Sequence, residues 1–358
     1  MNPFVQEENA VENWPQLLNA LLARQDLSAP RTEWAMNEAM SGAAGPARLA
    51  ALMMGLRAKG ETAAEIEGLA RGMLRHAVPL TVPGRCLDIV GTGGDGSHSV
   101  NISTMSALVA AGAGARVVKH GNRSASSACG SADVLEELGV ALDLPAAEVG
   151  AVVEETGITF CFAPLFHPAM RHAAGPRREL GIRTVFNALG PLTNPARPAA
   201  QAIGVADPGL AERIAEVLAR RGTDALVFRG DDGMDELTVT TTSTVWSVTG
   251  GEVRRESFDP RDIGVPRAAA GSLRGGDRVY NARVARDVLA GARGPVRDAV
   301  LLSAAAGLAA FEGGTSPLAE RLSSGLARAG HSVDSGAAAG VLERWVALAG
   351  RAGRVAVA

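Results

Sequence analysis

The chain has 358 residues, of which 47% are hydrophobic and 20% are charged, and its formal net charge is −3 at pH 7. This length suffices for one large domain or two modest ones with a substantial shared core, and the composition is ordinary for a globular protein. The charge gives no reason to expect binding to nucleic acid or to an anionic membrane. Charges or glycines interrupt every apolar run before it reaches the length of a membrane span.

The termini and the cysteines indicate where the protein works. The N-terminal segment is acidic and lacks the basic start and apolar block of a signal peptide. The cysteines, Cys86, Cys129 and Cys161, are odd in number and show no C-x-x-C spacing. This pattern favours reduced thiols, without a disulfide framework or a zinc site. We therefore expect a cytoplasmic protein.

The first eighty residues show apolar stripes at helical spacing and almost no strand pattern. Ser28, followed two positions later by proline, begins the second predicted helix, which ends at Gly42. The third ends near Gly60. The fourth begins with a capping box, in which the Thr62 hydroxyl accepts from the Glu65 amide while the Glu65 carboxylate accepts from the Thr62 amide. These signals predict a small all-helical domain.

The rest of the chain predicts an α/β domain. Helix-length stretches alternate with short apolar runs at 86–90 (CLDIV), 116–120 (RVVKH), 158–162 (ITFCF) and 224–228 (DALVF). This alternation is typical of a mostly parallel central sheet flanked by helices. The stretch 167–200 returns to a helical period, and we expect its helices to pack on the N-terminal ones.

The predicted organisation is therefore discontinuous. A small helical domain comprises 1–84 and 167–200, and a larger α/β domain comprises 85–166 and 201–358. Residues 250–280 are rich in Gly, Arg and Asp, and we expect surface loops there.

A glycine-rich loop follows the first predicted strand. Glycine lets the backbone turn tightly and brings N–H groups against a ligand, and a helix start adds its positive dipole end. Both features suit a pyrophosphate. The same loop carries many polar side chains: Asp95, Ser97, Ser99, Asn101, Ser103 and Thr104.

Three alternatives compete with this interpretation. Gly91, Gly93 and Gly96 match G-x-G-x-x-G, but a dinucleotide site needs an acidic residue after the second strand, where Lys119 and His120 stand. A P-loop needs a Gly-Lys-Ser/Thr that is absent from the sequence at this point. A turn without a ligand explains the crowd of polar residues poorly. A phosphate-type ligand is the favoured interpretation.

The second predicted strand ends in Lys119, one of only two lysines in the chain, the other being Lys59. Ligands of open α/β sheets bind beyond the carboxyl ends of the strands. Lys119 is therefore expected beside the glycine loop, where its ammonium would meet a phosphate. His120 and Asn122 lie next to it; a histidine alone would be interpreted as a surface residue.

An acidic pair, Asp235 and Glu236, follows the strand at 224–228. Taken alone, such a pair is a solvated acidic turn. Beside a pyrophosphate it becomes a plausible Mg²⁺ site, because Mg²⁺ takes oxygen ligands and often needs only one or two carboxylates when a phosphate supplies the rest.

Several segments of the sequence resemble those of a known family. DIVGTGGDG, NIST, VVKHGNRSASSACGSADVLEELG, GITFCFAP, RTVFNALGPLTNP and DGMDELT, in this order and at compatible spacing, resemble the anthranilate phosphoribosyltransferase family. The match runs from about residue 14 to the last predicted helix. The resemblance implies a homodimer with a helical and an α/β domain, an active site between them, and transfer of a phosphoribosyl group to anthranilate with two Mg²⁺ ions.

The resemblance also implies site residues. The phosphoribosyl pyrophosphate donor would be held by Gly91, Gly94, Asp95, Ser99, Asn101, Ile102, Ser103, Thr104, Lys119, His120, Gly121, Asn122, Arg123, Ser124, Ala125, Ser126, Ser127 and Ser131. Anthranilate would meet Gly91, Asn122 and Arg177. Mg²⁺ would be bound by Ser103, Asp235 and Glu236. Arg229 departs from the residue expected in many relatives.

We expect no essential general base, because the motifs contain no convincing pair of histidine and carboxylate and the aromatic amine is already neutral. Pyrimidine nucleoside phosphorylases share this architecture and remain an alternative, which the acidic pair and the stretch around Arg177 disfavour. A non-catalytic relative that binds nucleic acid is disfavoured by the acidic balance. A relative that acts on another aromatic amine stays open.

Overall fold

The computed structural model describes residues 13–124, 128–269 and 271–355. Helices alternate with strands after an all-helical start. The helices are α1 (Trp14–Leu22), α2 (Ala29–Ser41), α3 (Gly45–Lys59), α4 (Ala63–Arg75), α5 (Ile102–Gly112), α6 (Ser131–Glu137), α7 (Ala146–Thr156), α8 (Ala163–Phe166), α9 (Arg171–Leu180), α10 (Phe186–Leu192), α11 (Pro208–Arg220), α12 (Arg278–Leu289), α13 (Pro295–Glu312), α14 (Leu318–Asp334) and α15 (Ala337–Val355).

The strands form one sheet in the order β3-β2-β1-β4-β5-β6-β7. The first five strands of the chain pair in parallel, and the last two pair antiparallel. The predicted fold class, a helical domain plus an α/β domain with a mostly parallel sheet, is confirmed. The strands are β1 (Leu87–Gly91), β2 (Val117–Gly121), β3 (Ile158–Phe162), β4 (Ala200–Gly204), β5 (Asp224–Gly230), β6 (Ser243–Thr249) and β7 (Glu252–Phe258).

The chain divides into two compact units. The helical unit comprises the described residues up to His76 together with Ala169–Leu189. The α/β unit comprises Ala77–Pro168 and the described residues from Gly190 onward. The boundaries drawn from sequence lie up to eleven residues away from these limits. They remain a prediction about domains, since the two units are distinguished by compactness alone.

Local signals fix the helices of the helical unit. The predicted capping box of α4 is confirmed: the Thr62 hydroxyl accepts from the Glu65 amide at 3.3 Å, and the Glu65 carboxylate accepts from the Thr62 amide at 2.8 Å. Gly42 ends α2 with a left-handed φ of 83°, which glycine adopts without steric cost. Within this unit α9 packs against α2 and α3.

In the α/β unit the parallel strands of the sheet are buried on both faces. One face carries the main core, in which Leu87 and Ile89 of β1 pack with apolar residues of α5 and α13. The other face carries a smaller cluster that includes Val118, Cys161 and Phe166. Strands buried on two faces have continuous apolar runs in their sequence. This explains why β1, β2, β3 and β5 could be predicted as strands from the sequence.

The expectation of surface loops throughout 250–280 was wrong in part. Residues 252–258 form β7, an edge strand whose side chains are mostly charged and exposed, so it lacks the apolar run of the central strands. β4 and β6 were also not predicted. No helix within the described residues is long and apolar enough to cross a membrane.

Candidate active site

The predicted motifs meet at the carboxyl edge of the sheet. β1 lies between β2 and β4, so the strand order reverses there, and ligands of open α/β sheets bind at such a switch point. The four strands around this point each end in glycine: Gly91, Gly121, Gly204 and Gly230.

Two of these glycines make room for Asp235. A Cβ on Gly204 would overlap the Asp235 carbonyl oxygen, and one on Gly91 would overlap Asp235 Oδ2. Asp235 Oδ2 also accepts a hydrogen bond from the Gly93 amide at 2.6 Å. The segment after β5 is therefore held against the glycine loop, and side chains at these strand ends would separate the two.

The glycine loop presents backbone to solvent. Gly93, Gly94 and Gly96 are exposed and have left-handed φ values of 70°, 75° and 76°, a conformation that favours glycine. Asp95 Oδ1 accepts from the Ser97 amide at 3.0 Å, which stabilises the turn. The loop can therefore bring main-chain N–H groups to an anion without a side chain intervening.

The loop leads into α5, so Ser103 and Thr104 lie in the first turn of that helix. The N–H groups of a first turn lack partners within the helix and carry its positive dipole end. The Thr104 hydroxyl is buried and has no hydrogen-bond partner among the described residues. These features add to the anion-binding character of the loop.

Lys119 is buried, at 1% exposure, and does not stand at the rim of the site. Its ammonium donates to the Ile89 carbonyl at 2.5 Å and to the Ser103 hydroxyl at 3.2 Å. Burial lowers the pKa of Lys119, while the charges of Asp88 and Glu236 oppose that shift. The ammonium thus links β1 to the first turn of α5; a direct contact with phosphate stays a prediction.

His120 and His167 form a neutral, buried pair with ring centroids 5.2 Å apart. His120 Nδ1 lies 3.0 Å from the Gly190 carbonyl and His167 Nε2 lies 2.9 Å from the Thr193 carbonyl, so these nitrogens must donate. Burial lowers the pKa of His120 to about 3 and that of His167 to about 4. The second nitrogen of each ring is therefore an unprotonated acceptor.

Asp88 joins the elements beneath the site and was missed from sequence. It is fully buried; its carboxylate accepts from the His120 amide at 3.2 Å and from Asn194 Nδ2 at 2.9 Å. Asn194 Nδ2 also donates to the Val118 carbonyl at 2.7 Å. Burial raises the pKa of Asp88 to about 6, and the Lys119 charge opposes that shift. The available signal was an acidic residue inside the apolar run CLDIV.

The loop after β2 is tied to α6. Arg123 pairs with both carboxylate oxygens of Glu136 at 2.6 and 2.7 Å and with Asp133 at 3.2 Å, so its guanidinium already has acidic partners. Asn122 Oδ1 accepts from the amide that follows it at 2.7 Å, and Ser131 is the first residue of α6. Three residues predicted to bind phosphoribosyl pyrophosphate lie outside the described residues: Ala125, Ser126 and Ser127.

Asp95, Asp235 and Glu236 form an acidic cluster. Burial raises the pKa of Asp235, and the charge of Asp95 adds to the shift. Burial, reinforced by Asp235, also raises the pKa of Glu236 well above its usual range. Asp95 Oδ2 is buried without a hydrogen-bond partner in the part of the chain described. A divalent cation would neutralise this excess of negative charge.

The chemistry of the cluster fits Mg²⁺, which prefers carboxylate oxygens and retains water or phosphate oxygens for its remaining positions. Over residues 13–124, 128–269 and 271–355, no three His, Cys, Asp or Glu side chains are arranged to hold a metal by themselves. Oxygens of a bound ligand would complete the coordination.

Arg177 lies on α9 of the helical unit. Its guanidinium stands over the Phe186 ring, 5.5 Å from the centroid, and burial lowers its pKa. It forms no ion pair with a carboxylate among the described residues. A partly buried cation without a counter-charge is suited to a ligand carboxylate.

Family models match both units. A glycosyl transferase α/β domain model matches residues 83–339, and a glycosyl transferase helical bundle model matches residues 15–77. An anthranilate phosphoribosyltransferase of a Nocardioides species is 62% identical over 95% of this chain and all of its own length. That of Thermobifida fusca is also 62% identical, over 93% of this chain and 96% of its own length.

The chain belongs to the anthranilate phosphoribosyltransferase family.

Solved structures of anthranilate phosphoribosyltransferases share the fold. The Thermus thermophilus enzyme has a TM-score of 0.87 at 44% identity and covers 93% of this chain and 98% of its own. The Saccharomyces cerevisiae enzyme, solved in complex with phosphoribosyl pyrophosphate and Mg, has a TM-score of 0.85 at 27% identity, covering 94% and 98%. Membership in the anthranilate phosphoribosyltransferase family favours the transferase over the pyrimidine nucleoside phosphorylase alternative.

Proposed function

We propose that this chain transfers the 5-phosphoribosyl group from phosphoribosyl pyrophosphate to the amine of anthranilate, a step of tryptophan biosynthesis. The products are N-(5-phosphoribosyl)anthranilate and pyrophosphate. The observation that carries the proposal is the acidic cluster of Asp95, Asp235 and Glu236 against an exposed glycine loop, with Lys119 buried below, in a chain 62% identical to relatives of that name.

The donor-binding residues are the glycine loop, the first turn of α5 and the loop after β2. The backbone N–H groups from Gly94 to Gly96 are proposed to meet the pyrophosphate, and they cost no reorganisation when charge develops on it. Lys119 acts on this region through its bond to the Ser103 hydroxyl and through its charge. Its burial keeps that charge unscreened by solvent.

Ser103, Asp235 and Glu236 would hold Mg²⁺, with two ions bound per subunit. When bound, Mg²⁺ supplies charge neutralisation for the departing pyrophosphate oxygens. The Gly93 amide keeps Asp235 in place through the hydrogen bond at 2.6 Å. The Mg²⁺ complex of the yeast enzyme supports this assignment.

Anthranilate is proposed to meet Gly91, Asn122 and Arg177, with the guanidinium of Arg177 facing the carboxylate. Because the aromatic amine is already neutral, it needs alignment with ribose C1 more than it needs deprotonation, and alignment contributes through proximity. The ribose gains oxocarbenium character as the bond to pyrophosphate breaks, as at other glycosidic centres.

No protein group is needed as a general base. His120 is the nearest candidate by motif, but its pKa of about 3 makes it a weak base at neutral pH. We propose that the anthranilate carboxylate takes the proton from the amine. The pair of buried neutral histidines then supports the pocket without exchanging protons.

A homodimer in the cytoplasm is proposed for the intact enzyme. Leu22 of α1 is 82% exposed and Met54 of α3 is 40% exposed, and apolar residues on the surface of the helical unit suit contact with a second copy. Light scattering of the purified protein measures the assembly directly; a monomer mass would remove this part of the proposal.

The test of the reaction is a fluorescence assay with anthranilate and phosphoribosyl pyrophosphate, in Mg²⁺ or in excess chelator. We expect anthranilate fluorescence to fall only when Mg²⁺ and both substrates are present. No fall with folded protein under any of these conditions would remove the proposed reaction.

A further inference from the structure

Two asparagines join the donor-binding loops to a distant segment. Asn101 immediately precedes α5, and Asn281 lies in the first turn of α12, 180 residues later. Asn281 is 3% exposed. None of the motifs that predicted the site contains Asn281, and the segment leading into it, residues 273–277, falls where the sequence showed no pattern.

The two side-chain amides form a chain of hydrogen bonds. Asn281 Nδ2 donates to Asn101 Oδ1 at 2.9 Å, and Asn101 Nδ2 donates to the Cys129 carbonyl at 3.1 Å. Asn281 Oδ1 accepts from the Gly276 amide at 2.9 Å. Each amide is bonded at both ends, so its orientation is determined by donors and acceptors. The glycine loop is thereby linked to the Cys129 segment that precedes α6.

The backbone of the same segment holds the glycine loop. The Gly275 amide donates to the His98 carbonyl at 2.8 Å, and the Leu273 carbonyl accepts from the Val100 amide at 2.9 Å. A Cβ on Gly275 would come within 2.9 Å of both Asn281 Oδ1 and the Ser99 carbonyl oxygen. The segment therefore lies flat on the loop, and glycine permits that approach.

We propose that Asn281 is a positioning residue for donor binding. It orients the Asn101 amide and so holds the glycine loop and the loop before α6 in one arrangement. The inference rests on the proposed function, because both loops are assigned there to phosphoribosyl pyrophosphate. Binding that needs two loops together is strengthened when their geometry is fixed in advance.

Loss of the Asn281 side chain should weaken binding of phosphoribosyl pyrophosphate more than binding of anthranilate. Asn281→Ala leaves Asn101 Oδ1 and the Gly276 amide, which are partly buried, without their partner, and polar groups withdrawn from water without partners are costly. The loops would then be free to separate. We expect KM for phosphoribosyl pyrophosphate to rise roughly ten- to hundredfold, while KM for anthranilate and kcat at saturating donor change less than about threefold.

The experiment compares Asn281→Ala with Val279→Ala, a control on the same helix whose side chain is 59% exposed. Steady-state kinetics in both substrates and thermal unfolding are measured for each. The control should match wild type. An Asn281→Ala enzyme with an unchanged KM for the donor, or with equal rises for both substrates, overturns the proposal.

A double-mutant cycle separates positioning from general destabilisation. If Asn281 acts through Asn101, then adding Asn281→Ala to Asn101→Ala should raise KM for the donor less than about twofold further. Full additivity of the two rises contradicts the inference. Should Asn281→Ala fail to fold, Asn281→Asp tests the same contact, because the carboxylate can still accept from the Gly276 amide but cannot donate to Asn101 Oδ1, and the same donor-selective rise is expected.

Failure of the proposed function is distinguishable. If the wild-type protein does not consume anthranilate, the rise in Tm on adding phosphoribosyl pyrophosphate with Mg²⁺ replaces KM as the readout. A smaller rise in Asn281→Ala than in Val279→Ala supports the positioning role, and equal rises overturn it.

Discussion

Lys119 of the α/β unit and Arg177 of the helical unit are both withdrawn from solvent, but their partners differ. Lys119 in the α/β unit is almost fully buried and donates to a carbonyl and a hydroxyl. The charges of Asp88 and Glu236 stabilise its protonated form. Arg177 in the helical unit is partly buried over an aromatic ring and has no carboxylate partner among the described residues.

The difference indicates two tasks. A cation whose bonds and counter-charges come from the protein is part of the framework, and it holds neighbouring groups in place before any ligand arrives. A cation that is desolvated without a counter-charge has binding capacity left for an anionic ligand. Lys119 thus supports the donor-binding region, whereas Arg177 is suited to the carboxylate of the acceptor.

The largest effect is expected from Lys119→Met, which removes the charge but keeps an unbranched side chain. Glu236 and Asp88 lose their nearest cation and the Ser103 hydroxyl loses a donor. We expect kcat/KM for phosphoribosyl pyrophosphate to fall about 10²–10³-fold and the free energy of unfolding to fall by about 3–5 kcal/mol. Steady-state kinetics and urea unfolding measure both. A stable variant with an unchanged kcat/KM would show that Lys119 is not part of the framework.

Arg177→Gln should give a smaller and more selective effect. We expect KM for anthranilate to rise about 10²-fold, since a charge-assisted hydrogen bond contributes about 1.5–3 kcal/mol, with KM for the donor unchanged. The free energy of unfolding should not fall, because the variant removes a desolvated cation that has no counter-charge. Arg178→Gln, an exposed neighbour, is the control. Equal rises in both KM values would remove the contrast between the two cations.

The sequence predicted where Lys119 lies but not how deeply it is buried. The carboxyl-edge rule for parallel strands brings the glycine loop, Lys119 and the acidic pair together from the sequence alone. The depth of Lys119 was not predictable, because it depends on how α5 packs over β1 and β2, and no local pattern encodes that.

Asp88 and the segment before Asn281 were not predicted from the sequence, for different physical reasons. Asp88 stands inside an apolar run, where one acidic residue does not change the strand pattern. The segment before Asn281 makes its contacts through backbone groups and glycine, which carry no periodicity. Sequence reasoning therefore finds residues that present chemistry at strand ends more readily than residues that hold those strands and loops together.

Asp88→Asn tests the framework without touching Lys119. The amide has the size of the carboxylate but lacks the negative charge that stabilises the buried Lys119 ammonium. Its nitrogen would also face the His120 amide or Asn194 Nδ2, which are hydrogen-bond donors themselves. We expect kcat/KM for the donor to fall about tenfold, with KM for anthranilate unaffected. Asp143→Asn, at an exposed residue of the α/β unit, serves as a control for the effect on kcat/KM. If Asp88→Asn behaves like that control, the counter-charge is not important to the framework.

The smallest effect on activity, and a clear one on stability, is expected from His167→Gln. His167 is a buried base that stays neutral, unlike both cations: its pKa falls from 6.5 to about 4 because of burial. The unfolded chain binds a proton near pH 6.5 and the folded chain does not, so this contribution to stability is present above pH 6.5 and is lost as pH falls towards 4.

In the His167→Gln variant, the glutamine side chain can still donate to the Thr193 carbonyl but does not titrate. The stability difference between wild type and variant should therefore shrink by roughly 1.5 kcal/mol from pH 6.5 to pH 5. Buried carboxylates with raised pKa values act in the opposite direction, but they are common to both proteins and cancel in the difference. Urea unfolding at pH 8, 6.5 and 5 measures it. Parallel curves would mean that His167 takes up its proton over the same pH range in the folded and the unfolded chain, so that burial does not keep its ring neutral.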